Sequence, residues 1–120
     1  MIPKWFEVVT DQDIDNLGGV STDFHDATLA TAKMKNNNLY LKFDGMFCDI
    51  CINFIGIIEQ NLIGKVYEIF DSEIKKEDDH YIWIINDAWS GWVNGTNCDK
   101  ISGVYIKCEK ILWNFNKRFK

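Results

Sequence analysis

Arginine, proline and histidine are nearly missing from this 120-residue chain, which has one Pro, two His and, at position 118, a single Arg. So little proline, with 8 Gly, 47% hydrophobic and 26% charged residues, describes one compact domain spanning residues 1–120 and not a linker, a coil or a repeat array. Cations are in deficit too. The net charge of -5, carried against 13 basic residues that are all lysine except Arg118, argues against nucleic acid, whose phosphates are held by a cation surplus and often gripped by paired guanidinium nitrogens.

Long apolar runs are lacking. The best candidate, residues 50–58, is interrupted by Asn53 and is about half of the ~20 residues that a membrane span needs, so no membrane partner is expected. Residues 1–7 carry no leader-like apolar run, which predicts a cytoplasmic protein whose four Cys are thiols. Catalytic signatures are lacking as well. There is no GxSxG, no HExxH, no HxE with PCxxC and no Gly-rich phosphate loop, so the expectation is a protein that is not an enzyme and needs no cofactor.

What the chain has in excess is aromatic side chains, with five Trp, four Tyr and eight Phe. Their setting is mostly alternating. Leu39, Leu41 and Phe43 share one strand face, Ile50, Ile52 and Phe54 another, and residues 81–85 are apolar on both sides, as in a central strand. Asn36, Asn37 and Asn38 read as a turn, Asp44-Gly45 as a second, and Glu77-Asp78-Asp79 as a charged third. The closing strand keeps one phase through Val104, Ile106 and Cys108 and the opposite phase through Ile111, Trp113 and Phe115, which predicts a bulge or bend near Glu109-Lys110. Gly56 breaks its own alternation and predicts another.

One helix is expected, over residues 11–17, with Thr10 as cap, Asp11 and Asp13 in the first turn and Gly18-Gly19 as a left-handed stop. Residues 5–9 suit a short strand or an extended arm. Residues 66–74 fit a helix face by spacing and a strand by residue type, and the types tip the reading to strand. The fold class is therefore mainly β: a single curved antiparallel sheet or partly open barrel of about six strands with one short N-terminal helix.

Between Asp87 and Ser102 the pattern predicts a long irregular loop, and loops of that length are often functional. Trp89 and Trp92 within it could anchor a protein partner, bind a carbohydrate ring, or fold back as a lid. An acidic group, Asp71, Glu73, Glu77, Asp78 and Asp79, could complement a basic protein. Metal readings fare worse. Asp11, Asp13 and Asp15 begin like a calcium loop, but Thr22 stands where a bidentate Glu is needed, and Cys48 and Cys51 would point to opposite faces of a strand. No metal site is expected.

Phe24-His25-Asp26-Ala27, followed by a strand and the return over residues 39–43, resembles the opening of a group of small bacterial β-rich domains, some of them immunity proteins of polymorphic-toxin systems. The closing residues 104–113 resemble that group's last strand. The resemblance implies a small β-rich fold and neutralisation of a cognate toxin by stoichiometric binding, with Phe24, His25 and Asp26 as a structural motif and no catalytic residue. A monomer or a homodimer paired through an edge strand is compatible with it. A small-ligand or carbohydrate module built on Trp89 and Trp92, and an enzyme using His25 or His80, are the alternatives.

Overall fold

The computed structural model describes residues 5–21, 27–44, 48–62, 68–89, 92–93, 96–97, 100–101 and 103–117. In chain order the elements are β1 (Phe6–Glu7), α1 (Asp11–Ser21), β2 (Ala27–Lys35), β3 (Asn38–Asp44), β4 (Cys48–Gln60), β5 (Glu68–Glu77) and β6 (His80–Trp89). Three two-residue strands follow, β7 (Trp92–Val93), β8 (Thr96–Asn97) and β9 (Lys100–Ile101), and then β10 (Val104–Lys117). The fold is mainly β and antiparallel. Its six long strands are β2 to β6 and β10.

The sheet curls until its ends meet. β10 pairs with β4 from Ile106↔Gln60 to Lys117↔Cys48, and on its other side with β6 from Val104↔Ile85 to Cys108↔Tyr81. Pairings thus run from β10 through β4, β3, β2, β5 and β6 and return to β10. Among the described residues the seam between β2 and β5 holds Ala27↔Ile69 and Thr28↔Glu68.

Alternation fills the interior. Leu39, Leu41, Phe43, Ile52 and Phe54 are completely buried, and Ile50 is 1% exposed. At the centre Trp83 meets Phe43 edge-on at 5.8 Å and stacks on Phe54 at 5.4 Å, the offset geometries that aromatic quadrupoles favour. A second aromatic group closes one end, where Phe6 of the N-terminal arm lies 5.0 Å from Trp113 and 6.4 Å from Phe115. Pairing of Phe6 with Trp113, and the bond from the Val8 amide to the Ile111 carbonyl at 3.0 Å, hold the arm on β10.

Helix α1 starts as its sequence suggests. Asp13 Oδ2 accepts from the amides of Val9 and Thr10, both at 2.9 Å, while Thr10 Oγ1 accepts from the Asp13 amide at 3.2 Å, a reciprocal cap. Those amides hold the Asp13 carboxyl below its ordinary value. Leu17 is fully buried and Ile14 packs against the core. The expected stop at Gly18-Gly19 is wrong, because the helix continues to Ser21 and neither glycine has positive φ. Glycine inside a helix costs about 1 kcal/mol relative to Ala, a penalty that does not forbid continuation.

Other boundaries also move. Asn36, at φ 55°, and Asn37 form the first turn and Asn38 already belongs to β3, while Asp78, at φ 37°, and Asp79 form the β5–β6 turn. Residues 68–74 are strand, in line with their residue types. Gly56 adopts φ +70°, and the register of β10 on β4 shifts beside it, from Lys107↔Glu59 to Cys108↔Ile57. The phase change expected near Glu109-Lys110 is present, both residues being exposed between buried Cys108 and Ile111, and the register shift lies just before it, between Lys107 and Cys108, with Ile58 of the partner strand as the extra residue. Only the pairing could reveal on which strand the insertion sits.

Candidate binding surface

The predicted acidic residues come together on one hairpin. Asp71, Glu73 and Glu77 are exposed on β5, and Asp78 and Asp79 are exposed in the turn to β6. Asp71 Oδ2 accepts from Asn86 Nδ2 at 3.3 Å, which fixes its carboxylate against β6. Register then defines the outer face. Glu73 pairs with Ile84 and Ile84 with Tyr105, while Lys75 pairs with Ile82 and Ile82 with Lys107. Ile82 and Ile84 are half-buried, whereas their neighbours Tyr81, Trp83 and Ile85 point into the core.

This places two aliphatic side chains in the middle of a rigid strand surface, rimmed by charge on both sides. Sequence reasoning noted residues 82 and 84 only as part of a doubly apolar strand. The surplus of outward isoleucine was the available signal, since strands with a wet face normally alternate with polar residues. On the far side of Ile84 the Tyr105 hydroxyl donates to the Glu59 carboxylate, which pushes the phenol above its ordinary value.

Trp89 and Trp92 are placed by their backbone ladders. Trp89 ends β6, its backbone paired with Glu68 and Lys100, and Trp92 pairs with Asn97 in the short β7–β8 ladder. The loop expected between Asp87 and Ser102 is thus largely strand where it is described. Runs of two residues are too short to show alternation, and it is the partner that makes them strands. Trp89 stands at the opposite end of β6 from the acidic turn, roughly 30 Å away at about 3.3 Å per residue, so the two features cannot form one patch with Asp78 and Asp79. The side chains of Trp89 and Trp92, and all of Phe24, His25 and Asp26, lie outside the described residues.

His80 occupies a groove of about 580 Å³ lined by Ile55, Ile58, Asp79, His80, Glu109 and Lys110. Its Nδ1 lies 3.3 Å from Asp79 and its Nε2 3.5 Å from Glu77. None of the lining residues carries a hydroxyl or thiol, so among them this imidazole has carboxylate neighbours and no serine, threonine or cysteine to activate.

The described cysteines, Cys48, Cys51 and Cys108, are free thiols. Cys48 faces the core, while Cys51 faces outward and accepts a bond from the Tyr40 hydroxyl at 3.2 Å, so the pair cannot converge on one ion. That thiol raises the Tyr40 phenol to about 12. Burial pushes the Cys108 thiol up to about 12 as well. Among the described residues no group of three or more His, Cys, Asp or Glu side chains could hold a metal, and no helix is long and apolar enough to cross a membrane.

Fold and surface together define a mainly β protein with an aromatic interior and an apolar-centred hairpin face. No family model, curated protein or solved structure matches the chain.

Proposed function

We propose that the protein is a non-enzymatic binding protein of the immunity type, which neutralises a toxin by docking its β5–β6 face on a basic partner surface. The observation that carries this reading is the arrangement on that face: half-buried Ile82 and Ile84, with exposed Glu73 and Glu77 on the rim and Asp78 and Asp79 at the tip. An apolar centre within a charged rim is the anatomy of a protein interface, and carboxylates on the rim speed encounter with a basic partner. The isoleucine pair supplies the apolar anchor on this face. A monomer acting in the cytoplasm fits the reading.

Co-expression with the product of the adjacent gene tests it. Co-purification in a one-to-one complex and relief of toxicity are expected, both lost in the Glu73→Lys/Glu77→Lys variant. An adjacent product that is neither toxic nor retained would overturn the proposal. So would a complex indifferent to these charges and to Ile84→Asp.

A further inference from the structure

The groove that holds His80 is walled by residues from three strands and a turn. Ile55 and Ile58 come from β4, Asp79 and His80 from the β5–β6 turn and the start of β6, and Glu109 and Lys110 from β10, around a volume of about 580 Å³. One side is aliphatic. Ile58, the residue inserted at the register shift, is 52% exposed, and Ile55 is half-buried beside its ladder partner Lys110, so water wets two isoleucines there.

The other side carries a surplus of negative charge. Asp79 and Glu109 line the groove, Glu77 stands beside it at 3.5 Å from His80 Nε2, and Lys110 is the single cation among the lining residues. No lysine or arginine pairs with these three carboxylates among the described residues. Glu109 is held in place by an absent side chain. Its Cβ, Cγ and Cδ lie 3.1, 3.0 and 2.9 Å from the point where a Cβ on Gly56 would stand, so only glycine leaves room for that side chain to lie across β4. His80 adds an unmet acceptor. With Nδ1–H donated to Asp79 Oδ1 at 3.3 Å, Nε2 is the bare nitrogen, screened from water and without a hydrogen-bond partner among the described residues.

We propose that this groove receives an arginine side chain of the basic protein that docks on the β5–β6 face, an inference that rests on the binding function proposed above and names the chemistry of its partner. The aliphatic stem lies on Ile55 and Ile58, and the guanidinium lies between Asp79 and Glu109. Its planar fork of five N–H donors serves acceptors on two strands at once, and one N–H reaches His80 Nε2 when the exposed Glu77 side chain turns aside. Lysine fits less well. Its ammonium is a compact, strongly hydrated charge that loses more on leaving water for a wall of isoleucine. Asp79 belongs to both the groove and the acidic turn, so the groove continues the face centred on Ile82 and Ile84, and an arginine filling a pocket is a frequent centre of binding energy.

The test uses the full chain with isoleucine methyl groups labelled for NMR. The probe is the peptide acetyl-Gly-Arg-Gly-amide, with its lysine and citrulline counterparts beside it. Saturable shifts of the Ile55 and Ile58 methyls are expected in the ~10 mM range, as suits a single side chain. Lysine should bind roughly threefold more weakly, and citrulline, which keeps the shape without the charge, roughly tenfold. Glu109→Gln, which keeps the packing on Gly56, should weaken arginine about fivefold while the Ile82 and Ile84 methyl signals stay in place. Absence of saturation at ~100 mM arginine peptide would overturn the proposal. Equal binding of lysine and arginine, which marks diffuse attraction alone, would do so too, as would indifference to Glu109→Gln. The complex with the adjacent gene product separates this proposal from the one it rests on. A complex lost in Glu73→Lys/Glu77→Lys but unchanged by Glu109→Gln and by Ile58→Ser overturns the groove alone. Selective arginine binding with no adjacent product retained overturns the immunity function and leaves the groove standing.

Discussion

Gly56 lies directly against Glu109 across the β4–β10 ladder: a Cβ built on the glycine would come within 2.9 Å of Glu109 Cδ and 3.1 Å of its Cβ. The glycine also holds φ +70°, which L side chains rarely adopt. Both constraints act where the register shifts. The hairpin tip supports the same point, for the Gly56 amide donates to Asn38 Oδ1 at 3.2 Å and the Ile57 amide to the Asn37 carbonyl at 2.8 Å.

Gly56→Ala is expected to destabilise the fold by about 1–2 kcal/mol from the left-handed backbone alone, with the Glu109 contact adding to it. Urea denaturation with an unchanged slope and a lowered midpoint checks this. A neutral result would mean that the shift can relax.

Trp83→Ala should cost about 3–5 kcal/mol, because it opens a cavity between Phe43 and Phe54 at the centre of the barrel. Against the marginal stability of a domain this size, partial unfolding at room temperature is the expected outcome. Loss of the near-UV aromatic signal reads it directly.

At the N-terminal cap, Thr10→Ala is expected to cost about 1 kcal/mol. The Asp13 carboxyl has a folded value depressed by the Thr10 and Val9 amides, so its contribution is present above the unfolded value of 3.8 and lost as pH falls through the folded one. Asp13→Asn should therefore flatten the loss of stability below pH 3.8, as seen in thermal melts against pH.

Cys108 behaves in the opposite sense. Its native thiol keeps its proton to about 12 while the unfolded thiol ionises near 9, so the unfolded chain binds fewer protons in that window and stability falls as pH rises through it. Cys108→Ala should reduce that alkaline loss. Thiol labelling at pH 8 with mass-spectrometric mapping should modify the outward-facing Cys51 and spare Cys108 until urea unfolds the chain.

The interior was legible because period-two alternation is local: residues 39–43, 50–54 and 104–108 announce their inward faces whatever their partners. The hairpin turns were legible for a similar reason, since Asn36 and Asp78 tolerate the left-handed backbone that a tight turn requires. The acidic hairpin was visible as charge. Its isoleucine centre was not, because which side of a doubly apolar strand faces water depends on what covers the other.

By itself the sequence determined a mainly β fold, the identity of its core faces, the capped start of α1 and the opposite orientations of Cys48 and Cys51. Each follows from backbone geometry within a few residues. Tertiary structure alone decided that β10 bridges β4 and β6, that Ile58 is the inserted residue beside Gly56, and that the helix passes through Gly18-Gly19. Those outcomes depend on pairing between segments far apart in the chain, where the ladder partner, not the local residue, supplies the free energy.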